Sequence, residues 1–364
     1  LEDPPDFQGL AHFCEHMVFL GSNKYPDKDA FSKQLALYGG SHNAYTSDEE
    51  TVYYGEIGDK GLDEALDIFA QFFISPSFRE DMVDKEIHAV DSEHKKNQPD
   101  TQRRLWHLLH SKADPGNPTH QFSTGDLRTL KDEPHKQGKS LVKALRDFHT
   151  RNYCPGRLHL VLVANRSTAQ LLDLGHRHFD ALPRIPADMC GPRPVYFAKP
   201  AYTLQQHNLA RSFTVGTRGS PELWLMFPVQ PLRPRYQSAA EAYIWHALAH
   251  YGPGSLKALL LREDLSQSYS YYAETSVAGS TIFMTFALTN KGAKHPEQVL
   301  EYAFAYLNTL RAGGVDEKLL ANLQQMRQVE FDYQERHPSE VGFASSLAGA
   351  LPKYAPVDVL TGGR

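Results

Sequence analysis

Residues 9–22 read GLAHFCEHMVFLGS and contain His-Phe-Cys-Glu-His at positions 12–16. This pentapeptide has the pattern H-x-x-E-H, the inverted form of the zinc-peptidase signature. Apolar residues recur around it at helical spacing, which predicts a short, mostly buried helix. Residues four apart share one face of a helix, so His12 and His16 can offer two imidazoles to one metal ion. Glu15 lies next to that face, where it could act as a base on a metal-bound water. Two core histidines that happen to lie beside an acid are the structural alternative.

A second predicted helix offers the third ligand. Residues 80–96 read EDMVDKEIHAVDSEHKK, with apolar residues at helical spacing. Glu86 and Glu93 are seven residues apart, which is two helical turns, so both lie on one face. One of them can ligate zinc while the other orients a histidine or the site water. Periodicity does not choose between the two, and a pair of solvated acids on a charged helix is the alternative.

Several ordered blocks carry a resemblance to a known family. The blocks are GLAHFCEHMVFLGS (9–22), GGSHNAYTSDEETVYY (39–54), AVDSEHKKN (89–97), GNPTHQFSTGDLRTL (116–130) and HYGPGSLKALL (250–260). Together they resemble the insulysin and nardilysin branch of the pitrilysin-type zinc peptidases along most of the chain. The resemblance implies that His12, His16 and Glu93 bind one Zn²⁺ ion per chain. It also implies that Glu15 is the general base and that Glu86 supports the site from behind the ligands.

The resemblance predicts a chemistry as well as a site. Three protein ligands leave a fourth position for water, which is typical of catalytic zinc sites. The predicted function is that of a zinc-dependent metalloendopeptidase that hydrolyses oligopeptides inside a closed chamber, with zinc activating a water and Glu15 accepting its proton. One alternative is a non-catalytic pitrilysin-type binding or scaffold subunit. Another is a structural α+β protein with an accidental motif.

The predicted substrate strand follows the turn at Gly39 and Gly40. Residues 41–46 (SHNAYT) and 51–54 (TVYY) alternate like strands. The resemblance implies that the first strand pairs with substrate backbone, which is β-augmentation. The predicted substrate-binding residues are Asn43, Ala44, Thr46, Phe19, Tyr45 and Tyr54, with His250, Gly252 and Gly254 at a candidate exosite in the second domain. Core packing is the alternative for the single aromatic residues, and a helix-start turn is the alternative for Gly252 and Gly254.

The predicted fold class is α+β, with two homologous pitrilysin-type α+β sandwich domains. The resemblance implies that they form the N-terminal half of a four-domain clamshell, with the opening strand missing. The predicted domains are a catalytic zinc-binding domain at 1–185, a Pro-rich linker at 186–206 and a second, non-catalytic domain at 207–364. The remaining predicted helices are 140–153, 168–182, 239–250, 254–262, 296–310 and 316–333, and the remaining predicted strands are 157–163, 223–227, 269–274 and 281–288.

Composition limits the partners. The formal charge is −5 and there is no basic run, which argues against nucleic acid. No stretch approaches the apolar length of a membrane span, so a membrane partner is not expected. The three cysteines (Cys14, Cys154, Cys190) do not form an even disulfide framework, which favours a reducing, cytoplasmic location. The expected partners are peptide substrates and the missing C-terminal half of the same polypeptide, and a homo-oligomer is left open.

Overall fold

The structure is a computed structural model that describes residues 1–186, 190, 201–202, 219–238, 240–276, 279–335 and 339–362. Its contacts divide the chain into two compact units. The first is Leu1–Ala201 with His337–Leu360, and the second is Tyr202–Arg336 with Thr361–Arg364. Each unit contains helices and antiparallel strands, so the predicted α+β class is confirmed.

The predicted linker at 186–206 lies mostly outside the described residues, and the boundaries at 185 and 206 stay predictions. The sequence predicts one continuous second domain from 207 to 364, whereas residues 337–360 group with the first unit.

The elements are numbered in chain order. The helices are α1 Leu10–Val18, α2 Ala30–Leu37, α3 Leu62–Ile74, α4 Glu80–Asn97, α5 Thr101–Lys112, α6 Glu133–Lys136, α7 Leu141–Asn152, α8 Thr168–Phe179, α9 Ala240–Leu248, α10 Leu256–Arg262, α11 Pro296–Gly313, α12 Glu317–Asp332 and α13 Glu340–Ala350. The strands are β1 Ser41–Thr46, β2 Thr51–Glu56, β3 Glu222–Val229, β4 Ser266–Ser276 and β5 Gly279–Leu288.

Helix α1 is the centre of the first unit. It packs against α4, α7 and β1, and its apolar side is fully buried. The fully buried residues of that side are Leu10, Phe13, Cys14, Met17 and Val18. Burying a large apolar side chain contributes about 1.5–3 kcal/mol, so this face fixes the rotation of the helix about its axis. The opposite side of α1, which carries His12 and His16, therefore faces a fixed direction.

Both predicted strands are present, and β1 and β2 pair with each other as an antiparallel hairpin. The register pairs Ser41 with Glu56 at the open end and Thr46 with Thr51 beside the turn. Helix α13 packs on β2, and an ion pair joins Lys353 Nζ to Glu50 Oε1 at 2.8 Å. The hairpin is therefore held against α1 on one side and contacted by the last helix on β2.

Residues 157–163 depart from the predicted buried strand. A short 3-10 turn occupies Pro155–Arg157, and no strand is assigned to residues 158–163. Leu158, Leu160 and Leu162 nevertheless pack against the core at every second position. A strand needs a neighbour to accept its ladder of hydrogen bonds, and within the described ranges no strand pairs with this segment. The alternating pattern reflects burial of one side, and the predicted strand is wrong.

Cys154 and Cys190 form a disulfide, a pairing that the odd cysteine count does not predict. The fold brings their Cα atoms to 5.8 Å across 36 residues of sequence. Cys14 is free and fully buried, and burial raises the pKa of its thiol to about 12. Cys14 is thus a neutral packing thiol. Sequence spacing alone could not show which two cysteines the fold would bring together.

The second unit contains a three-stranded antiparallel sheet in the order β3–β5–β4. Along β5, Met284, Phe286 and Leu288 face a core shared with α9, α10 and α11. Phe283 points to the other face, where it stacks on Tyr272. This period of two is what the sequence predicts for the unit's strands. Among the residues that the structure describes, we find no helix with the length and apolar character needed to span a bilayer.

Candidate metal centre

A buried carboxylate and a close backbone contact between two glycines hold the start of α1. Asp3 accepts hydrogen bonds from the backbone N–H groups of Gly9 and Ala11, both at 2.7 Å. Burial raises the pKa of Asp3 although both hydrogen bonds act in the opposite direction. Gly9 has φ +89°, and a Cβ built on it would lie 2.2 Å from the Cα of Gly125. Only glycine permits this crossing, which brings the preceding carbonyl, that of Thr124, to the metal site.

The two histidines of α1 are oriented through their Nδ1 atoms. His12 Nδ1 lies 2.8 Å from the Thr124 carbonyl oxygen, so its N–H donates there. His16 Nδ1 lies 2.8 Å from Glu86 Oε1 on α4. A histidine that donates through Nδ1 presents the lone pair of Nε2, which is the usual arrangement behind a zinc ligand. Both Nε2 atoms lie close to one carboxylate oxygen.

That oxygen belongs to Glu93, two turns along α4 from Glu86. Glu93 Oε2 is 3.7 Å from His12 Nε2 and 3.6 Å from His16 Nε2. The three ligand atoms all lie within 4.8 Å of one another. Tetrahedral zinc with ordinary bond lengths separates its ligand atoms by about 3.4 Å. The donor set fits a zinc ion after a small inward movement of the side chains.

The charges around the site favour a cation. Burial alone would lower the pKa of His16, but the hydrogen bond to Glu86 and the charges of Glu86, Glu15 and Glu93 outweigh it and raise the pKa. Three carboxylates thus surround two imidazoles. A site with this excess of negative charge attracts a divalent cation, which competes with protons for His16.

Glu15 lies on α1 beside the two histidines, with 7% of its surface exposed. Its Oε2 accepts a hydrogen bond from the hydroxyl of Thr46 at 2.5 Å. Thr46 is the last residue of β1, which packs against α1. The predicted base and the predicted substrate strand therefore touch directly.

The other residues predicted to bind substrate divide into two groups. Asn43, Ala44, Tyr45 and Tyr54 lie on the hairpin, and the Ala44 N–H donates to Asn43 Oδ1 at 2.9 Å. The Tyr45 ring is exposed and lies 6.4 Å from that of Tyr54. Phe19 is half-buried and packs against the ring of Phe72 at 4.9 Å in an aromatic cluster. The structure thus gives Phe19 the packing contacts of the alternative interpretation.

The predicted exosite residues form a turn before α10. The Gly252 N–H donates to His250 Nδ1 at 3.2 Å, and Gly254 has φ +86°. Ser255 accepts from the Ala258 N–H and caps the helix. Tyr251 is exposed, with Lys257 Nζ 3.8 Å from the centre of its ring. These contacts explain the conformation of the turn and give no evidence of a ligand-binding role.

Sequence reasoning missed three parts of the site. It assigned no role to Asp3, to the Thr124 carbonyl or to the hydroxyl of Thr46 toward Glu15. For Thr124 the signal was the block 116–130, which contains it and resembles the family, whereas Asp3 lies in none of the quoted blocks. Contacts that join residues this far apart are visible only after folding.

Comparisons with known proteins match the same family over most of the chain. Residues 1–122 match the family described as Insulinase (Peptidase family M16), and residues 140–327 match the Peptidase M16 inactive domain. The insulin-degrading enzyme of Homo sapiens is 32% identical over 363 residues, which are 99% of this chain and 35% of that protein. Nardilysin of Pongo abelii is 32% identical over 367 residues, which are 99% of this chain and 31% of nardilysin.

Solved structures agree with the sequence comparison. The crystal structure of pitrilysin superposes with a TM-score of 0.90 at 26% identity, covering 100% of this chain and 38% of that one. The chain spans about a third of the length of the curated relatives it matches.

Proposed function

Because the chain belongs to the insulinase family, peptidase family M16, we propose that it is a zinc-dependent metalloendopeptidase that hydrolyses oligopeptides. One observation carries the proposal. The ligand atoms of His12, His16 and Glu93 lie within 4.8 Å of one another, and the carboxylate of Glu15 lies on the same helix as the two histidines. The names of the relatives support it, since they include insulin-degrading enzyme and nardilysin.

In this proposal His12, His16 and Glu93 hold one zinc ion per chain. A zinc ion in such a site supplies Lewis acidity and lowers the pKa of a water toward about 7. Glu86 keeps His16 oriented through the 2.8 Å hydrogen bond to Nδ1. The Thr124 carbonyl does the same for His12. Both imidazoles then present Nε2 without rotating, which spares the site a loss of conformational entropy on binding.

Glu15 carries out the proton transfers. Its carboxylate accepts a proton from the attacking water and returns it to the leaving nitrogen of the cleaved peptide. Its low exposure keeps competing water away from that carboxylate. The hydrogen bond from Thr46 compensates for part of the cost of burying the charge.

We assign substrate binding to β1. An extended peptide would add to its edge, with Asn43, Ala44 and Thr46 beside the cleaved bond and Tyr45 and Tyr54 next to its side chains. The N–H of Ala44 now donates to Asn43 Oδ1, so it is a donor that substrate can take over. Pairing through the backbone reads peptide shape more than side chains, which fits broad specificity.

The rest of the molecule enters the proposal at a coarser level. The turn of His250, Gly252 and Gly254 is proposed as an exosite, and the further length of the relatives is proposed to complete a closed chamber. Oligomeric state and a cytoplasmic location stay predictions.

A Glu15→Gln variant tests the function. We expect unaltered and variant chains to contain about one zinc each by elemental analysis. Hydrolysis of a fluorogenic oligopeptide should fall about 10²–10⁴-fold in the variant, because general base catalysis is lost. Glu133→Gln, which breaks an exposed ion pair with Arg128, is the control and should retain activity.

Unchanged hydrolysis in Glu15→Gln would refute the role of the base. Zinc and peptide binding without any hydrolysis by the unaltered chain would favour the scaffold alternative.

A further inference from the structure

The hydroxyl of Thr46, which donates to Glu15, lies next to a second hydroxyl group, that of Thr51. Thr46 and Thr51 are paired across the hairpin, and their Oγ1 atoms are 3.1 Å apart. A threonine hydroxyl has one proton to donate. Since Thr46 directs its proton to Glu15, the proton between the two threonines comes from Thr51. The hairpin pairing therefore orients Thr46 from behind.

Two tyrosines lie behind the same hairpin and pack against the core of the first unit. Tyr153 directly follows α7. Its hydroxyl is 2.6 Å from that of Tyr53 on β2. Burial raises the pKa of both phenols well above their usual value, so both keep their protons as neutral donors. Either hydroxyl of this tyrosine pair can be the donor to the other.

The ring of Tyr153 is held on two sides. It stacks on His149 at 4.5 Å and on Phe73 at 6.2 Å. His149 in turn donates from Nε2 to the Phe72 carbonyl oxygen at 2.9 Å. Tyr153, which contacts Tyr53 of β2, is thus anchored in the packed core of the first unit.

We infer that Thr46 is a positioning residue for the predicted base, and that the line from Thr51 through Thr46 fixes the direction in which the Glu15 carboxylate points. This inference rests on the proposed function for its catalytic consequence. Hydrogen bonds in a chain polarise one another, and here Thr51 donates to Thr46, which donates to the carboxylate. The line also joins the base to the substrate strand, because Thr46 ends β1.

A thermal cycle tests the inference without zinc or activity. Thr46→Val keeps the shape and removes the hydroxyl, and Thr46→Ser keeps the hydroxyl. In the metal-free chain we expect Thr46→Val to lower Tm by about 3–6 °C, because a hydrogen bond to a buried charge is lost. Thr46→Ser should stay close to the unaltered chain. In a Glu15→Leu background, Thr46→Val should change Tm by less than about 1 °C.

An equal Tm loss in both backgrounds would overturn the inference. If Glu15→Leu does not fold, the comparison of Thr46→Val with Thr46→Ser decides instead, and equal Tm values for these two variants would overturn it.

Steady-state kinetics of the zinc-loaded chain test the catalytic consequence. We expect Thr46→Val to lower kcat about 10–100-fold with KM within twofold and with unchanged zinc content. Thr46→Ser should restore most of the loss, and Thr51→Val should lower kcat by a smaller factor. Thr285→Val is the matched control, because it removes a strand threonine that pairs with Ser270 Oγ at 2.6 Å in the second unit.

A rise in KM with unchanged kcat in Thr46→Val would overturn the inference, since Thr46 would then be a substrate contact only. A zinc-loaded, unaltered chain that cleaves no peptide would count against the proposed function, while the thermal cycle would still decide the role of Thr46.

Discussion

Glu86 offers the sharpest test of how the site is held together. Its Oε1 accepts from His16 Nδ1 at 2.8 Å, and the two side chains are 21% and 24% exposed. A hydrogen bond to a charged group at a half-buried position is worth about 1.5–3 kcal/mol, roughly twice a neutral one. Removing it frees the His16 ring and lowers the basicity of Nε2, the atom that would bind the metal.

The expected magnitude depends on the substitution. In Glu86→Gln the amide oxygen still accepts the hydrogen bond but the charge is gone. About 1.4 kcal/mol is then lost, which is about tenfold in zinc affinity. In Glu86→Ala the whole hydrogen bond is lost, and the affinity should fall about 100-fold. Comparing the two variants separates the effect of the Glu86 charge from the effect of its hydrogen bond.

The assay is a competition titration in which the chain and a chromophoric chelator of known affinity share limiting zinc at fixed pH and salt. Asp84→Asn is the matched control, because it removes one negative charge from the same helix and breaks only an exposed pair with Lys131. It should change zinc affinity less than about twofold, since exposed charges are screened. Equal losses in Glu86→Ala and Asp84→Asn would refute the reasoning and reduce the effect of Glu86 to long-range charge.

Three further predictions concern the scaffold. Burial lowers the pKa of His149 from the usual 6.5 to about 4. Between these pH values the unfolded chain binds more protons than the folded chain, so the free energy of unfolding falls as the pH drops through that range. Urea unfolding should show a loss of about 2 kcal/mol between pH 7 and pH 5, and a His149→Phe variant should not show this loss. Gly9→Ala places a Cβ 2.2 Å from the Gly125 Cα at φ +89°, and we expect about 2–5 kcal/mol of lost stability together with weaker zinc binding, both measured on the same sample. Replacing Cys154 and Cys190 by serine removes a disulfide that spans 36 residues of sequence. The free energy of unfolding, measured in urea, should fall by about 2–4 kcal/mol, while zinc affinity should stay within twofold. A loss of zinc binding would show that the disulfide supports the site directly.

The ligand helices were predictable because their signals are local. The spacing of His12 and His16 and the apolar pattern around them describe one helix, and the same holds for residues 80–96. Helix periodicity did not choose between Glu86 and Glu93, and the family resemblance favoured Glu93. Both lie on one face of α4, and only the packing of α1 on α4 shows which carboxylate meets Nε2 and which meets Nδ1.

The misses have one physical cause, which is that they depend on long-range contacts. The segment 157–163 has the apolar alternation of a strand, but strand assignment requires a hydrogen-bonded neighbour. The pairing of Cys154 with Cys190 and the packing of α13 on β2 likewise depend on where the chain returns. Thr46 was predicted as a substrate contact from its strand. Its hydrogen bond to Glu15 follows from how β1 meets α1.

The partner of His12 Nδ1 has a consequence for the order of events during synthesis. The Thr124 carbonyl lies 112 residues after His12 in the chain. At a translation rate of about 5–20 residues per second, the helix with the two histidines precedes that carbonyl by about 6–22 s. During this interval the partner of the His12 imidazole has not been synthesised, whereas Glu86, the partner of His16, comes earlier in the chain. The metal centre with both histidines oriented is therefore a late product of translation.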